Sequence, residues 1–338
     1  MLTGASGVVG KALLPELAEH ELICLVNRGR IDGARAVLRA DVTRRWLGLA
    51  RADYERLARR ADCVIHAAAV TDWAAPTELI RATNVEGTRN VLELASAAGA
   101  PLYFLSTAYV SAIRPEAPLA LPPEHIVVDY VTSKRDGERL VRDSGLPATI
   151  LRPTSLIGDS RTGEIARNQI VQQVIGFVCR GKVPLFPSRP ETLLDLVPQD
   201  VLAKAVAGLV RDGEVGGDYW LTHGERTFTL MRALELCVEL MDRIGRPVEP
   251  PRIVDPDALD ADADALAALG SAARAFFARL LELVDGMTAC GVFPSDLERL
   301  AERYDLGPVS LEDAYLRGLR HWARVRGLDG GRAVVRSP

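Results

Sequence analysis

The stretch TGASGVVG, Thr3 to Gly10, places glycines at every third position directly before a segment of helical periodicity. A strand, a glycine-rich turn and a helix in this order are typical of the first unit of a parallel sheet that binds a dinucleotide. The spacing is G-x-x-G-x-x-G rather than G-x-G-x-x-G, and the alternative is a turn without a ligand. Because only Met1 and Leu2 precede Thr3, we expect a truncated start or an unusually short first strand.

Outward from this turn, short apolar runs alternate with longer segments whose apolar residues recur every three or four positions. The runs are LICLVN (Leu22–Asn27), CVIHAAA (Cys63–Ala69), PLYFLST (Pro101–Thr107) and ATILRPT (Ala148–Thr154). The segments between them predict helices, two of which end at Gly99 and Gly145. The alternation predicts an α/β fold with a Rossmann-like, doubly wound parallel sheet.

Charge and cysteine content exclude several function classes. The chain of 338 residues has 41 basic and 45 acidic side chains, so no broad basic surface is available for nucleic acid. Five cysteines lie far apart without a C-x-x-C pair, which argues against a disulfide framework or a metal site and fits a reducing cytoplasm. With no signal segment and no membrane span in the sequence, we expect a cytoplasmic protein.

The second apolar run ends in VNRGR, where an acidic residue would accept hydrogen bonds from the ribose of NAD. Arg28 and Arg30 could instead pair with a 2′-phosphate, which predicts NADPH as the cofactor. The alternative is that both arginines are solvated loop residues. Asp41, at the expected end of a third strand, either contacts the adenine amino group or caps the following turn.

The alternation loosens after Ile157 and defines the predicted domains. Residues 1–157 are predicted to form the NADP-binding Rossmann domain, and 191–228 to return to it. Residues 158–190 begin as a polar loop and continue as a helix, and the chain beyond Thr229 has mostly helical periodicity. We therefore predict that 158–190 and 229–332 form a smaller, mostly helical substrate-binding subdomain.

The stretch YVTSKRDGE, Tyr130 to Glu138, places a tyrosine and a lysine one helical turn apart, so both side chains lie on the same face. An ammonium beside a tyrosine stabilises the phenolate and lowers the pKa of the phenol toward the range of a useful general acid. The alternative is a pair on an exposed helix face. The preceding strand ends in LSTAYV, so Thr107, or alternatively Ser106, adds a hydroxyl at the carboxyl edge of the sheet, where such folds bind ligands.

The chain resembles the extended short-chain dehydrogenase/reductases. The resemblance rests on motifs that follow in the family's order: TGASGVVG, ADVT, HAAAV, NVEGT, LSTAYV, YVTSK, LRPTSLIG and LDLVPQDVLAKAV. It implies a catalytic triad of Thr107, Tyr130 and Lys134. Together with the pattern above, it predicts a set of cofactor-binding residues: Thr3, Gly4, Ser6, Gly7, Val8, Val9, Gly10, Arg28, Arg30, Asp41, Val42, Ala67, Ala68, Ala69, Asn84, Tyr130, Lys134, Pro153 and Thr154.

Within that family the chain is similar to the thioester reductase branch, which comprises the terminal reductase domains of nonribosomal peptide and polyketide synthases, carboxylic acid reductases and fatty acyl-CoA reductases. The similarity is carried by LGL before an amphipathic helix, VTDW after the third core strand, and NVEGTRNVL. The resemblance implies an acyl thioester substrate, bound to CoA or delivered in trans by a carrier protein. We expect a monomer or homodimer.

The resemblance implies hydride transfer from NADPH to the thioester carbonyl, with Tyr130 as general acid and Lys134 lowering the pKa of that tyrosine. The product is an aldehyde, and a second transfer would give an alcohol. Trp73, Ser155 and Asp159 are the predicted substrate residues, although Trp73 could be only a packing aromatic and Asp159 part of a solvated loop.

Four further residues receive structural interpretations. Asn84 bends its helix or holds a water near Lys134, or else marks a local helix start. His66 is expected to pack under the cofactor rather than act as a base. Arg152 and Asp200 are interpreted as structural, forming a buried pair.

Other functions remain as alternatives. The same triad could reduce a free ketone or aldehyde. A catalytically silent NADP-binding regulator is a further alternative, disfavoured because Thr107, Tyr130 and Lys134 are all present. A sugar-nucleotide epimerase is disfavoured by the missing acidic residue after the second strand.

Overall fold

The structure, a computed structural model, describes residues 1–31, 33–166, 169–307 and 310–328. Its strands are β1 (Leu2–Thr3), β2 (Ile23–Val26), β3 (Ala36–Arg39), β4 (Val64–His66), β5 (Leu102–Leu105), β6 (Ala148–Pro153), β7 (Ser155–Ile157), β8 (Leu185–Pro187), β9 (Leu193–Leu194), β10 (Leu196–Pro198), β11 (Asp218–Leu221), β12 (Phe228–Thr229) and β13 (Arg252–Val254). Seven of them form one parallel sheet in the order β11-β6-β5-β4-β1-β2-β3. The predicted Rossmann-like sheet is confirmed.

The helices fall between these strands and after them. They are α1 (Val8–Glu16), α2 (Arg51–Ala58), α3 (Thr77–Arg81), α4 (Gly87–Ala98), α5 (Ile126–Asp143), α6 (Ile170–Val178), α7 (Gln199–Arg211), α8 (Leu230–Arg243), α9 (Ala263–Ala267), α10 (Ser271–Cys290), α11 (Leu297–Tyr304) and α12 (Leu311–Val325). A π-helical turn, Ala82–Glu86, joins α3 to α4 without a break. Both glycines predicted to end helices, Gly99 and Gly145, have the positive φ that such ends favour.

The first strand is only two residues long, yet it lies in the middle of the sheet. Leu2 pairs with Cys24 of β2 on one side and with Ile65 of β4 on the other. The chain runs outward from β1 to β2 and β3, and then returns across it to β4, so the strand order reverses between β1 and β4. In parallel sheets a ligand crevice opens at the carboxyl ends of the strands at such a reversal. The glycine-rich turn after β1 lies there.

Two apolar cores cover the faces of the sheet. One contains α1 and α7, which pack together, and the other contains α2 and α4. The central strands β2 and β5 are buried throughout, which explains why their sequences are continuous apolar runs rather than alternating ones.

A separate apolar core holds α6, α8, α10 and α12 together with β8 and β9. All of these elements except β9 lie in the ranges that the sequence assigns to the substrate-binding subdomain; β9 lies in 191–228, which was assigned to the Rossmann domain. Helix α11 belongs to the same range but packs on α7 beside the sheet, with Leu297 and Leu300 in the sheet core. Among the described residues, no helix is long and apolar enough to cross a membrane.

Candidate active site

The glycine-rich turn, which we call the cradle, packs so closely on its own backbone and on the residues after β4 that two of its glycines leave no room for a side chain. Gly4 has φ +68°, and a Cβ there would lie 2.5 Å from the carbonyl carbon of Ala67. A Cβ on Gly10 would lie 2.3 Å from the carbonyl oxygen of Gly4. Gly7 is the N-cap of α1 and offers no side-chain hydrogen bond, so the first N–H groups of the helix remain available. This arrangement fits a pyrophosphate at the helix N-terminus.

The loop after β2 lies against this cradle. A Cβ on Gly29 would come within 2.4 Å of the Ser6 hydroxyl oxygen, and Arg39 donates hydrogen bonds to the carbonyl oxygens of Asn27 and Gly29. The loop carries Arg28 and Arg30 in exposed positions beside the glycine-rich turn.

Asp41 follows β3 and caps its own turn. Its Oδ1 accepts hydrogen bonds from the backbone N–H of Thr43 at 3.0 Å and from the hydroxyl of Thr43 at 2.7 Å. Of the two interpretations of Asp41, this geometry is that of the turn cap. The adjacent Val42 carbonyl accepts a hydrogen bond from Asn90 Nδ2.

His66, the last residue of β4, is buried under the crevice. Its Nδ1 lies 2.7 Å from the Thr3 hydroxyl oxygen and its Nε2 lies 3.2 Å from that of Thr88. Burial, together with the nearby ammonium of Lys134, lowers the pKa of His66 to about 3. The imidazole is therefore neutral and engaged at both nitrogens, which leaves it no role as a base.

Thr107 and Tyr130 meet at the carboxyl end of β5. Thr107 caps the 3₁₀ turn Ala108–Ile113 by accepting a hydrogen bond from the Tyr109 N–H at 3.3 Å. The phenol of Tyr130, on α5, lies next to the Thr107 hydroxyl. Burial raises the pKa of Tyr130 to about 12, and its interaction with the Thr107 side chain opposes that shift. The phenol is therefore fully protonated at neutral pH and able to donate.

Lys134 lies one turn further along α5 and points toward the sheet. Its Nζ donates a hydrogen bond to the Leu105 carbonyl at 2.6 Å and lies 4.5 Å from the centroid of the Phe104 ring. Burial lowers the pKa of Lys134 to about 8, with the carboxylate of Glu138 opposing that shift. The ammonium is hydrogen-bonded to Leu105 in this structure, and the expectation that Lys134 lowers the pKa of Tyr130 stays a prediction.

Asn84 lies in the π turn between α3 and α4, and its side chain connects the loop after β4 to helix α5 by hydrogen bonds. Its side chain exchanges hydrogen bonds with the backbone of Val70 at 2.8 and 3.0 Å and donates to the Ser133 hydroxyl at 2.9 Å. Ser133 in turn donates to the carbonyl of Tyr130 at 2.6 Å. Asn84 thus holds the turn of α5 that carries Tyr130, and contacts Ser133 rather than Lys134.

A buried carboxylate that the sequence did not single out supports this helix. Glu138 lies one turn after Lys134 and accepts hydrogen bonds from Arg152 Nε at 2.8 Å and Nη2 at 2.7 Å. It also accepts one from the Ser106 hydroxyl at 2.6 Å. The four-residue spacing of Tyr130, Lys134 and Glu138 could have indicated this carboxylate, because it places all three side chains on one face of α5.

The predicted pair of Arg152 and Asp200 is wrong. Arg152 instead bonds Glu138, as above, and Asp218. Asp200 is in the first turn of α7, where its carboxylate accepts hydrogen bonds from the N–H and hydroxyl of Ser160, both at 2.7 Å. Both side chains are nevertheless buried.

Aromatic side chains form one wall of the crevice. The Trp73 ring stacks on Tyr130, with centroids 6.3 Å apart, and meets the edge of Tyr109 at 5.4 Å. Tyr109 extends the wall to Phe293 and its hydroxyl lies 3.0 Å from that of Ser155. Trp73 and Ser155 are therefore brought to the same wall as Tyr130.

The remaining predicted residues lie at the rim or below it. Pro153 and Thr154 are buried at the end of β6, and the Thr154 hydroxyl donates to the Asp195 carbonyl. Asp159 caps its own loop through the N–H groups of Arg161 and Thr162, and this geometry gives it no contact with the triad. Val8 and Val9 open helix α1, and Ala67 to Ala69 follow β4, so both groups border the cradle.

Comparison with known proteins agrees with this geometry. Residues 27–206, more than half of the chain, match the NAD-binding family described as "Male sterility protein". The chain belongs to this family. Members of this NAD-binding family are oxidoreductases of the extended short-chain dehydrogenase/reductase fold, so the predicted resemblance is confirmed.

Proteins similar to this chain include a lipopeptide synthase and a terminal reductase domain. The chain is 30% identical over 234 residues to an isonitrile lipopeptide synthase of Streptomyces coeruleorubidus, a match that covers 59% of this chain and 16% of the synthase. The chain thus spans only a small part of that relative. The terminal R domain of the myxalamid PKS-NRPS pathway superposes with a TM-score of 0.75 at 27% identity, covering 97% of this chain and 90% of the other.

A second solved structure, the reductase domain of a nonribosomal peptide synthetase from Mycobacterium tuberculosis, shares the fold. It superposes with a TM-score of 0.69 at 21% identity and covers 97% of this chain and 91% of that domain. The homologues of this NAD-binding family member include terminal reductase domains, and the chain contains an NAD(P)-binding domain.

Proposed function

We propose that this protein reduces acyl thioesters to aldehydes with NADPH, the thioester being carried by CoA or by a carrier protein delivered in trans. The observation that carries the proposal is the placement of the buried Thr107 hydroxyl and the buried Tyr130 phenol next to each other at the carboxyl end of β5, beside the dinucleotide cradle. These two hydroxyl groups are the donors that a carbonyl oxygen in the crevice would meet. The similarity to terminal reductase domains supports a thioester carbonyl in particular.

The residues of the crevice account for the polar part of the reaction. NADPH, when bound, supplies the hydride that reaches the carbonyl carbon. Thr107 and Tyr130 donate hydrogen bonds to the carbonyl oxygen, which stabilises the negative charge that develops there. The phenol of Tyr130 then gives its proton to that oxygen, and a hemithioacetal forms.

Collapse of the hemithioacetal needs the proton to move back. The phenolate of Tyr130 removes the hydroxyl proton, the carbonyl reforms, and the carbon–sulfur bond breaks to release the aldehyde and a thiolate, which takes a proton from solvent to become the thiol. Lys134 stabilises the transient phenolate by its positive charge. The same residues would reduce the aldehyde to an alcohol in a second round.

The proposal is tested by following the absorbance of reduced nicotinamide with acyl-CoA and acyl-carrier substrates, while the products are analysed for aldehyde and alcohol. We expect consumption that requires a thioester and releases one thiol for each aldehyde formed. Turnover of a free ketone or aldehyde without any turnover of thioesters would assign the simpler carbonyl reductase instead.

The choice of NADPH is tested at the loop after β2. Replacing Arg28 and Arg30 together by alanine is expected to weaken NADPH binding by roughly 10- to 100-fold, because two charge-assisted hydrogen bonds to the 2′-phosphate are lost. The Kd for NADH, which lacks that phosphate, should change little. Equal losses for both cofactors, measured by fluorescence titration, would contradict a 2′-phosphate contact.

A pH limb is expected from Lys134. The reaction uses its ammonium form, which is present below its pKa of about 8 and lost above it. Log kcat/KM should therefore fall as the pH rises through about 8, well below the range of an ordinary lysine. Circular dichroism across the same pH range separates this limb from unfolding. A flat profile up to pH ~10, where an ordinary lysine titrates, would show that the charge of Lys134 is not needed.

A further inference from the structure

Three charged side chains are buried together on α5 and β6. Lys134 and Glu138 lie one turn apart on one face of α5, and Arg152 lies on β6. Their exposed fractions are 2%, 4% and 5%. Burying a charge is costly unless an opposite charge or hydrogen bonds compensate it. The partners of each side chain therefore show what stabilises its charge.

The carboxylate of Glu138 is held at both oxygens. Its Oε1 accepts hydrogen bonds from the Ser106 hydroxyl at 2.6 Å and from Arg152 Nε at 2.8 Å. Its Oε2 accepts them from Arg152 Nη2 at 2.7 Å and from Arg142 Nη1 at 3.2 Å. These four donors favour the ionised form and fix its position. Glu138 is therefore a fixed, buried negative charge.

Lys134 has no carboxylate bonded directly to it. In the part of the chain that the structure describes, it forms no salt bridge, and its Nζ is bonded to the Leu105 carbonyl and faces the Phe104 ring. Leu105 directly precedes Ser106, whose hydroxyl binds Glu138. The ammonium and the carboxylate are thus held beside consecutive residues, close to each other but not in contact.

The other ionisable groups that face Lys134 supply no negative charge. His66 on β4 is neutral, and Tyr130 on α5 is protonated at neutral pH because burial raises its pKa to about 12. Arg152 is a cation that is paired with Glu138 and Asp218. Burial lowers the pKa of Lys134 to about 8, and the Glu138 carboxylate opposes that shift, in agreement with this geometry.

We infer that Glu138 is a positioning residue that acts through Lys134, because its fixed carboxylate supplies the negative charge that the buried ammonium needs. Its consequence for catalysis rests on the proposed thioester reduction, in which the ammonium stabilises the phenolate of Tyr130. Without this carboxylate, Lys134 and Arg152 would be two buried cations with only Asp218 to compensate them. Lys134 would then lose its proton at a lower pH.

Nuclear magnetic resonance tests the inference on the free protein, without cofactor or substrate. The chain has only four lysines, Lys11, Lys134, Lys182 and Lys204. Isotope labelling of the lysine Cε carbons therefore gives four signals, and the one missing in Lys134→Arg belongs to Lys134. Its titration midpoint should lie near 8 in the wild type. Glu138→Gln keeps the size of the side chain but removes its charge, and should lower the midpoint by about one pH unit.

Two control variants separate the charge of Glu138 from its packing. Glu138→Asp keeps the charge but shortens the side chain, so the midpoint should stay near that of the wild type even where urea unfolding shows a loss of stability. Asp218→Asn removes a carboxylate from the same Arg152 guanidinium. Asp218 lies on β11, on the side of β6 away from β5, so this variant should leave the midpoint unchanged.

The inference is overturned if Glu138→Gln leaves the midpoint unchanged, or if Glu138→Asp or Asp218→Asn lowers it equally. A wild-type midpoint at ~10, the value of an ordinary lysine, would also overturn it. If Glu138→Gln does not fold, Arg142→Gln replaces it. This substitution removes a half-exposed cation from the carboxylate and should raise the midpoint, and an unchanged midpoint counts against the inference.

Activity measurements distinguish this inference from the proposed function. With an acyl-CoA substrate, the fall of log kcat/KM at high pH should move in Glu138→Gln by the same amount as the midpoint of Lys134. If the midpoint moves but no thioester is reduced by the wild type, the role of Glu138 toward Lys134 stands and the proposed function fails. If thioesters are reduced but the midpoint does not move, the proposed function stands and the role of Glu138 is overturned.

Discussion

Replacing Tyr130 by phenylalanine is expected to reduce kcat for thioester reduction by about 100- to 1,000-fold. The substitution removes one oxygen atom, and with it the proposed proton donor next to Thr107. The ring remains to stack on Trp73, so the shape of the crevice is kept. Steady-state kcat and the Kd for NADPH are measured together, and only kcat should change strongly.

Tyr103→Phe is a suitable control for this substitution. Tyr103 is equally buried, but its hydroxyl donates to the Leu209 carbonyl behind the sheet, away from the crevice. Its loss should affect stability slightly and kcat little. If Tyr130→Phe retained a kcat within about 10-fold of the wild type, another group would have to protonate the carbonyl oxygen, and Thr107→Val would identify whether that group is Thr107.

Glu138→Ala is expected to lower the free energy of unfolding by about 3 kcal/mol, because it leaves the buried guanidinium of Arg152 without its bidentate partner. The Ser106 hydroxyl also loses its acceptor. Asp218 still contacts Arg152 from a more exposed position, which keeps the loss near the lower end for broken buried pairs. Urea unfolding measures the change.

A solvent-exposed salt bridge is the control for the Glu138→Ala substitution. Glu55→Ala breaks the surface bridge between Arg51 and Glu55 within α2 and should cost less than about 1 kcal/mol. A double variant with Glu138→Leu and Arg152→Met removes both charges and should recover much of the stability that Glu138→Ala loses. A cost for Glu138→Ala no larger than that for Glu55→Ala would mean that the buried pair contributes little.

The parts of the molecule that could be predicted from sequence depend on short-range patterns. Apolar runs of strand length, separated by helical periodicity, led to the parallel sheet, and glycines at Gly4, Gly7 and Gly10 led to the cradle. Tyr130 and Lys134 lie on one helix face by spacing alone. Each of these inferences needs only the geometry of one turn or one helix.

Partners from distant elements could not be predicted in the same way. Arg152 was assigned to Asp200, but α5 presents Glu138 to it instead, and no local pattern shows which helix covers β6. The direction of Lys134 also depends on tertiary structure, because the Leu105 carbonyl lies on β5.

The π turn at Ala82–Glu86 changes the orientation of the side chains of α4 relative to those of α3 within one continuous helix. A π turn holds one extra residue, which rotates everything beyond it by roughly 100° around the helix axis relative to an uninterrupted α-helix. Both α3 and α4 pack against α5, and α4 in addition presents Val91 and Leu94 to the core beneath the sheet. The extra residue changes which face of the helix is directed toward the core, without a loop and without ending the helix.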